Sequence, residues 1–268
     1  IAWKPEWKLV ERVAKISLPR TLTLSMSALT FIFLTALASR MAGGSVSIIA
    51  LSNNLQTISL SLIGVSYSLA AFPTLTRRFQ EKNIPAFLEQ MQVTTRFIVF
   101  WSLPLTALLV VLRAQIVRVL LGSGLFDWSA TRLTAAALAL FVLSSVFQSL
   151  LLLFMRGFYS AGFTKKPFYI NLFSTAVLVA VTYGLVDLFT SSTIFSSFIT
   201  TLLKVDDLGN GVMLMLPLGF SMGTIVNTLV LWYFFERDFP GYSRALWRVW
   251  FEGLGASVVM GAVAYAGL

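Results

Sequence analysis

The 268-residue chain contains no cysteine and no histidine. That removes disulfides, thiolate and imidazole metal sites, Cys or His nucleophiles and an imidazole base. Charge is scarce too, at 12% of residues, against about 25% in soluble domains. The eleven acidic residues (Glu6, Glu11, Glu81, Glu89, Asp127, Asp187, Asp206, Asp207, Glu236, Asp238, Glu252) all fall between apolar runs or at their ends. No carboxylate is therefore placed to act at mid-membrane as a proton relay or cation ligand. The paired carboxylates of a hydrolase and a GxxxxGK[ST] phosphate loop are also missing. These absences predict a chain without catalytic residues, metal or cofactor, and argue against an enzyme and against proton-coupled antiport through this part of the protein. There is no short apolar signal segment, because the first 17 residues, IAWKPEWKLVERVAKIS, are charged and amphipathic.

What the chain has in abundance is hydrocarbon: 57% of residues are apolar and mean hydropathy is +0.83. The apolar residues come in runs of about 20, the length that crosses roughly 30 Å of lipid. Runs bounded by charge or by Gly and Pro predict seven helices near 18–40, 46–72, 92–112, 130–155, 168–189, 212–235 and 246–268. Sustained period-2 alternation is missing, so the fold class is all-α, a polytopic membrane helix bundle. Residues 1–17 read as a cytoplasmic amphipathic lead-in, 18–235 as a six-helix transmembrane lobe, and 236–268 as a connection with a partial seventh helix. The connection from 190 to 211 has an apolar middle, TIFSSFITTLLK, that fits an interfacial helix. Beginning at Ile1 and ending within an apolar run at Leu268, the sequence reads as truncated at both ends.

The net charge of +9 is distributed unevenly. Lys4, Lys8, Arg12, Lys15, Arg20, Arg77, Arg78, Lys82, Arg96, Arg156, Lys165, Lys166, Arg237, Arg244 and Arg248, 15 residues, fall on one side of the alternating helices. Arg40, Arg113, Arg118, Arg132 and Lys204, 5 residues, fall on the other. The positive-inside bias then predicts a cytoplasmic N-terminus. Placed between apolar runs, these cations suit membrane lipid headgroups and not nucleic acid.

The second helix carries two stripes. Ser47, Ala50, Asn54, Thr57, Ser61, Gly64 and Ser68, three and four apart, are small or polar. Ile48, Leu51, Leu55, Ile58, Leu62, Val65 and Leu69, one position along, are apolar. In a medium that forms no hydrogen bonds, the polar stripe must face protein or a watery cavity. Asn53 and Gln56 widen it. Ser25 on the first helix, Gln148 on the fourth, and Ser221, Thr224 and Asn227 on the sixth repeat the pattern more weakly. The candidate cavity residues are thus Asn53, Asn54, Gln56, Thr57, Ser61, Ser25 and Gln148. Arg20, Arg96 and Arg156, at helix ends, either snorkel to lipid or meet an anionic headgroup entering such a cavity. Gly219 and Gly223 have the GxxxG spacing of close helix packing. Pro104, inside the third helix, is the hinge candidate.

Three segments, GSVSIIALSNNLQTISLSLIGVSYSLAAFPTLTRR, VRVLLGSGLFDWSATRLTAAALAL and RGFYSAGFTKKP, together resemble the MurJ/MviN family of lipid II flippases. The first, with Pro73 near its end, resembles the family's "FPTLSR" region. The second, residues 117–140, is similar to its "LFGRGAF" turn and the helix after it, and the third, from Arg156, to its "RGFYALGDTRTP" connection. The resemblance covers about residues 15–235 and implies one six-helix lobe of a two-lobed exporter plus one further helix, with the N-terminal lobe missing from this sequence. It further implies a bacterial plasma membrane flippase that moves a lipid-linked peptidoglycan precursor to the outer leaflet by alternating access. Asn54 stands where the resemblance places a cavity arginine, and Asn53 where it places an acid; Phe163 and Lys166 replace an Asp and a Thr. Lipid II and related lipid-linked sugars both stay open as cargo, as do a drug or polysaccharide exporter of the same superfamily and a non-transporting scaffold.

Overall fold

A computed structural model describes residues 7–121, 128–209, 211–243 and 246–267. They are helical almost throughout: α1 Trp7–Ala38, α2 Ser45–Leu60, a π-helical turn Ser61–Val65, α3 Ser66–Gln80, α4 Ile84–Val111, α5 Arg113–Leu121, α6 Trp128–Val142, α7 Ser145–Ser160, α8 Lys165–Ser191, α9 Thr193–Leu203, a 3₁₀ turn Gly211–Leu214, α10 Met215–Asp238 and α11 Trp247–Ala266. Among the described residues, six helical segments are long and apolar enough to span a membrane; α6 and α7, bent by 42°, make a seventh if taken as one span. The charged lead-in is continuous with the first span, since α1 runs unbroken for 32 residues.

Two breaks organise the bundle, and neither is at Pro104, the hinge expected from the sequence. α4 continues through Pro104, and the helix after the π-turn continues through Pro73 to Gln80. Pro217 occupies the first turn of α10, where a missing N–H costs nothing. The breaks are instead the π-turn at Ser61–Val65 and the α6–α7 bend at Leu143 and Ser144. They lie side by side. Ser59 and Ser145 hydroxyls are 3.1 Å apart, and Gly64 lies so close to α7 that an added Cβ would come within 2.9 Å of the Ser149 Cα.

On either side of this level the core divides. Towards one end, Phe87, Met91, Phe154, Phe158, Phe235 and Tyr242 form an aromatic-rich cluster. Towards the other, Ile48, Leu133, Ala136, Ala137 and Met213 pack together. α6 is the innermost element, with every residue from Leu133 to Val142 buried. Its alanines, Ala135, Ala136, Ala137 and Ala139, let neighbours approach on all sides. α10 meets α8 through the GxxxG pair: an added Cβ would come within 2.9 Å of the Cα of Thr182 at Gly219, and of Leu178 at Gly223.

The first end is also the basic one and is tied together by polar contacts. Lys166 Nζ donates to Asp238 at 2.6 Å and lies 4.8 Å from the Phe163 ring centroid. In the α10–α11 connection, Glu236 accepts from the Gly241 and Ser243 amides, both at 2.9 Å, and from Ser243 Oγ at 2.7 Å. Gln92 of α4 donates to the Tyr242 carbonyl at 3.0 Å, and the Tyr242 hydroxyl lies 2.5 Å from Thr95 Oγ1. Burial pushes the Tyr242 phenol well above its ordinary value, so it stays neutral and able to donate.

This packing sets two stability outcomes. Gly219→Val drives a side chain into Thr182 and is expected to cost about 1–3 kcal/mol, seen as a lower unfolding midpoint in detergent. Gly184→Ala on the open face of α8, with nothing within 4 Å, serves as the control and should not lower it. Tyr242→Phe leaves the Thr95 hydroxyl buried without its partner and should cost about 1–3 kcal/mol by the same assay.

Candidate functional site

Side chains of α1, α2, α7, α8 and α10 border a cavity of about 450 Å³. Its polar lining comes from five helices: Thr23, Ser27 and Thr30; Asn53; Gln148, Arg156 and Tyr159; Asn171, Ser174 and Thr175; Thr224 and Asn227. Leu151, Leu152, Met155, Leu178 and Phe220 supply apolar wall. Arg156 is the charged residue in the lining, and no carboxylate borders it among the described residues. The chamber is thus walled mainly by apolar side chains, with polar groups set among them and a positive bias from Arg156.

Its residues are fixed from several directions. Asn227 Nδ2 donates to Asn171 Oδ1 at 2.8 Å, and Asn171 Nδ2 donates to the Pro167 carbonyl at 2.8 Å. That chain joins α10 to the start of α8. Gln148 Nε2 donates to Ser144 Oγ at 2.9 Å, anchoring it at the bend. Arg156, in the last turns of α7, donates from Nε to Ser68 Oγ at 3.1 Å and lies 5.8 Å from the Phe72 ring centroid. Asn227 Oδ1 and Ser174 Oγ are buried without a hydrogen-bond partner, leaving hydrogen-bonding capacity for a guest or water.

The candidate residues from the sequence fall into separate places. Asn53, Gln148 and Arg156 line the chamber. Gln56 is 1% exposed on the buried face of α2, its Nε2 without a partner. Asn54, Thr57 and Ser61 are exposed on the outside of the bundle, as is Ser25 on α1. Arg96 is exposed on α4, and the Arg20 side chain lies outside the described residues. The seven-residue polar stripe is therefore not one face. In α2 the buried side is Ser45, Ile48, Ile49, Ser52, Gln56 and Ser59, about half a helical turn from Ser47, Asn54 and Ser61. The π-turn inserts one residue and rotates the helix beyond it by about 100°. Gly64 and Ser68, in register with the stripe by sequence, are buried as a result.

Exposed amides and hydroxyls in mid-span do not suit lipid, where a polar group without a partner costs several kcal/mol. The Thr57 hydroxyl is satisfied by the Asn53 carbonyl at 2.8 Å; for the Asn54 amide, α2's own backbone provides no such remedy. Such a face suits water or another protein surface better than lipid.

Sequence reasoning missed the α8 contribution, Asn171, Ser174 and Thr175. Their spacing of three and four was a readable signal, but a weak one beside the GxxxG helix they face.

A family model described as lipid II flippase MurJ matches residues 1–268. A probable lipid II flippase MurJ of Thermotoga maritima is 26% identical over 182 residues, 67% of this chain and 37% of the relative. That of Bdellovibrio bacteriovorus is 29% identical over 187 residues, 67% of this chain and 34% of the relative. Among solved structures, a lipid II flippase MurJ in an inward closed conformation matches with a TM-score of 0.66 at 16% identity, covering 99% of this chain and 55% of that one; the likeness is one of fold. The matches thus span a third to about half of the proteins they meet. With its helical architecture and a family match over its full length, this chain belongs to the MurJ lipid II flippase family.

Proposed function

We propose that this chain forms the second lobe of a lipid-linked oligosaccharide flippase whose cargo is the peptidoglycan precursor lipid II. The observation that carries the reading is the outer face of α2, where Asn54, Thr57 and Ser61 lie exposed opposite the helix's buried side. A missing N-terminal lobe opposite this face would turn it into one wall of a central cavity. A pyrophosphate-linked disaccharide–pentapeptide cannot shed its water into hydrocarbon, so a wall of amides and hydroxyls would replace that water while the polyprenyl tail stays in lipid. The basic end, with Arg77, Arg78, Lys165, Lys166 and Arg237, is placed in the cytoplasm by the positive-inside bias, and with it the chain's N-terminus.

Amides at Asn53 and Asn54 can hydrogen-bond sugar and phosphate oxygens but provide no countercharge. In this lobe the charge nearest the interior is Arg156, lining the chamber behind α2. Arg96 and Arg20 would act earlier, meeting the headgroup at the basic end. The larger part of the countercharge then falls to the partner lobe.

The test replaces Asn54 and Thr57 together by Leu in the full-length protein, in cells depleted of their own flippase. Both side chains are exposed, so the variant should reach the membrane at normal levels yet fail to restore colony formation where the wild-type gene restores it. Growth equal to wild type would remove α2 from the cavity wall.

A further inference from the structure

We propose that α9 is an interfacial anchor, seated at the membrane surface on the end opposite the basic connections, with Ile194, Phe198 and Leu202 inserted among lipid acyl chains. The inference is independent of the cargo and rests only on the membrane-spanning character of α8 and α10.

α9 links those two spans, joined to α8 by the single residue Ser192. Its position is therefore fixed at the level where the chain leaves the hydrocarbon. Three sectors run along it. Ile199 and Leu203 are buried against the lobe, near Phe189 and Leu185 of α8. Thr193, Ser197 and Thr201 form an exposed polar sector. Ile194, Phe198 and Leu202, four residues apart, form an exposed apolar sector at 85%, 62% and 60% exposure.

The helix is held rigidly in this orientation. Ser192 Oγ accepts from the Phe195 amide at 3.3 Å, and Lys204 closes the far end in the left-handed region at φ 59. Beyond it, Arg132 of α6 donates to the Lys204 carbonyl and, at 2.6 Å, to Asp207. The guanidinium hydrogen bond holds the Asp207 carboxyl below the usual carboxylate range, so the clasp stays charged at neutral pH.

A helix so strapped cannot turn its apolar sector inward. The preceding span likewise leaves apolar side chains exposed towards this end, Tyr183 and Leu188 at 50% and 44%. α9 itself carries no charged residue, so the fit is to acyl chains and not to anionic headgroups or a charged protein. The occupant is the lipid of that leaflet, which under the proposed orientation is the outer one.

The absence of native cysteine in this chain makes the test direct. In full-length protein freed of any cysteine in its other lobe, single cysteines replace Ile194, Ser197, Phe198, Thr201 and Leu202 and carry nitroxide labels. The protein is reconstituted in phosphatidylethanolamine–phosphatidylglycerol liposomes, and collision with oxygen is compared with collision with a water-soluble nickel chelate. The expected result is a several-fold oxygen preference at 194, 198 and 202 and the reverse at 197 and 201. Equal nickel access at all five positions would place α9 in water and overturn the proposal. Shielding of 194, 198 and 202 from both reagents would put a protein surface there and overturn it equally.

Discussion

A helix interrupted inside hydrocarbon leaves carbonyls that water cannot reach, and the lobe depends on how those carbonyls are met. At the α6–α7 bend, the Leu140 carbonyl accepts from Ser221 Oγ of α10 at 2.5 Å, and the Phe141 carbonyl from Ser144 Oγ at 2.7 Å. Across from it, the π-turn's Ser61 carbonyl accepts from Ser66 Oγ at 3.1 Å. Small hydroxyl residues serve here because each brings a donor without bulk. Without Ser221 the Leu140 carbonyl would lose its hydroxyl donor, whereas the Phe141 carbonyl would keep the Ser144 amide at 3.1 Å.

The two breaks have consequences in both directions from that level. Past the bend, α7 supplies Gln148, Met155 and Arg156 to the chamber, while α8 and α10 close tightly through Gly219 and Gly223. The π-turn rotates α3 relative to α2, so that Ser68 turns inward to meet Arg156 while Asn54 and Ser61 are left outside. One inserted residue thus separates a polar interior from a polar exterior on the same span. Under the proposed function the exterior is the face the lobe shares; behind it, among the described residues, Arg156 is the charge that lines the chamber.

Much of this was legible in the sequence. Apolar run length predicts the spans, the GxxxG pair predicts a close helix contact, which α8 and α10 make, and the weak polar pattern contains Gln148, Thr224 and Asn227, which line the chamber. The stripe on the second span was readable only as far as Ser61, because periodicity assumes 3.6 residues per turn and a π-turn leaves no mark in composition. Pro104 was misleading as a hinge for a related reason: flanking packing lets a helix run on through a proline, whereas the real breaks contain none. Gln56, read as part of the polar stripe, lies inside because its neighbours Ser52 and Ser59 share a face that packs on α6 and α7 through hydroxyl contacts to the Thr134 carbonyl and Ser145. Amphipathicity is a poor guide where both faces of a helix are polar.

The central claim is that the outer face of α2 borders water once the protein is whole. Single cysteines in place of Asn54, Thr57 and Ser61 in the full-length membrane protein, with Phe173 on the exposed side of α8 as the lipid-facing reference, can be titrated with a water-soluble maleimide. All three α2 positions are expected to react while position 173 stays unlabelled. If positions 54, 57 and 61 prove as unreactive as 173, that face is not the wall of an aqueous cavity, and the lobe does not carry its cargo there.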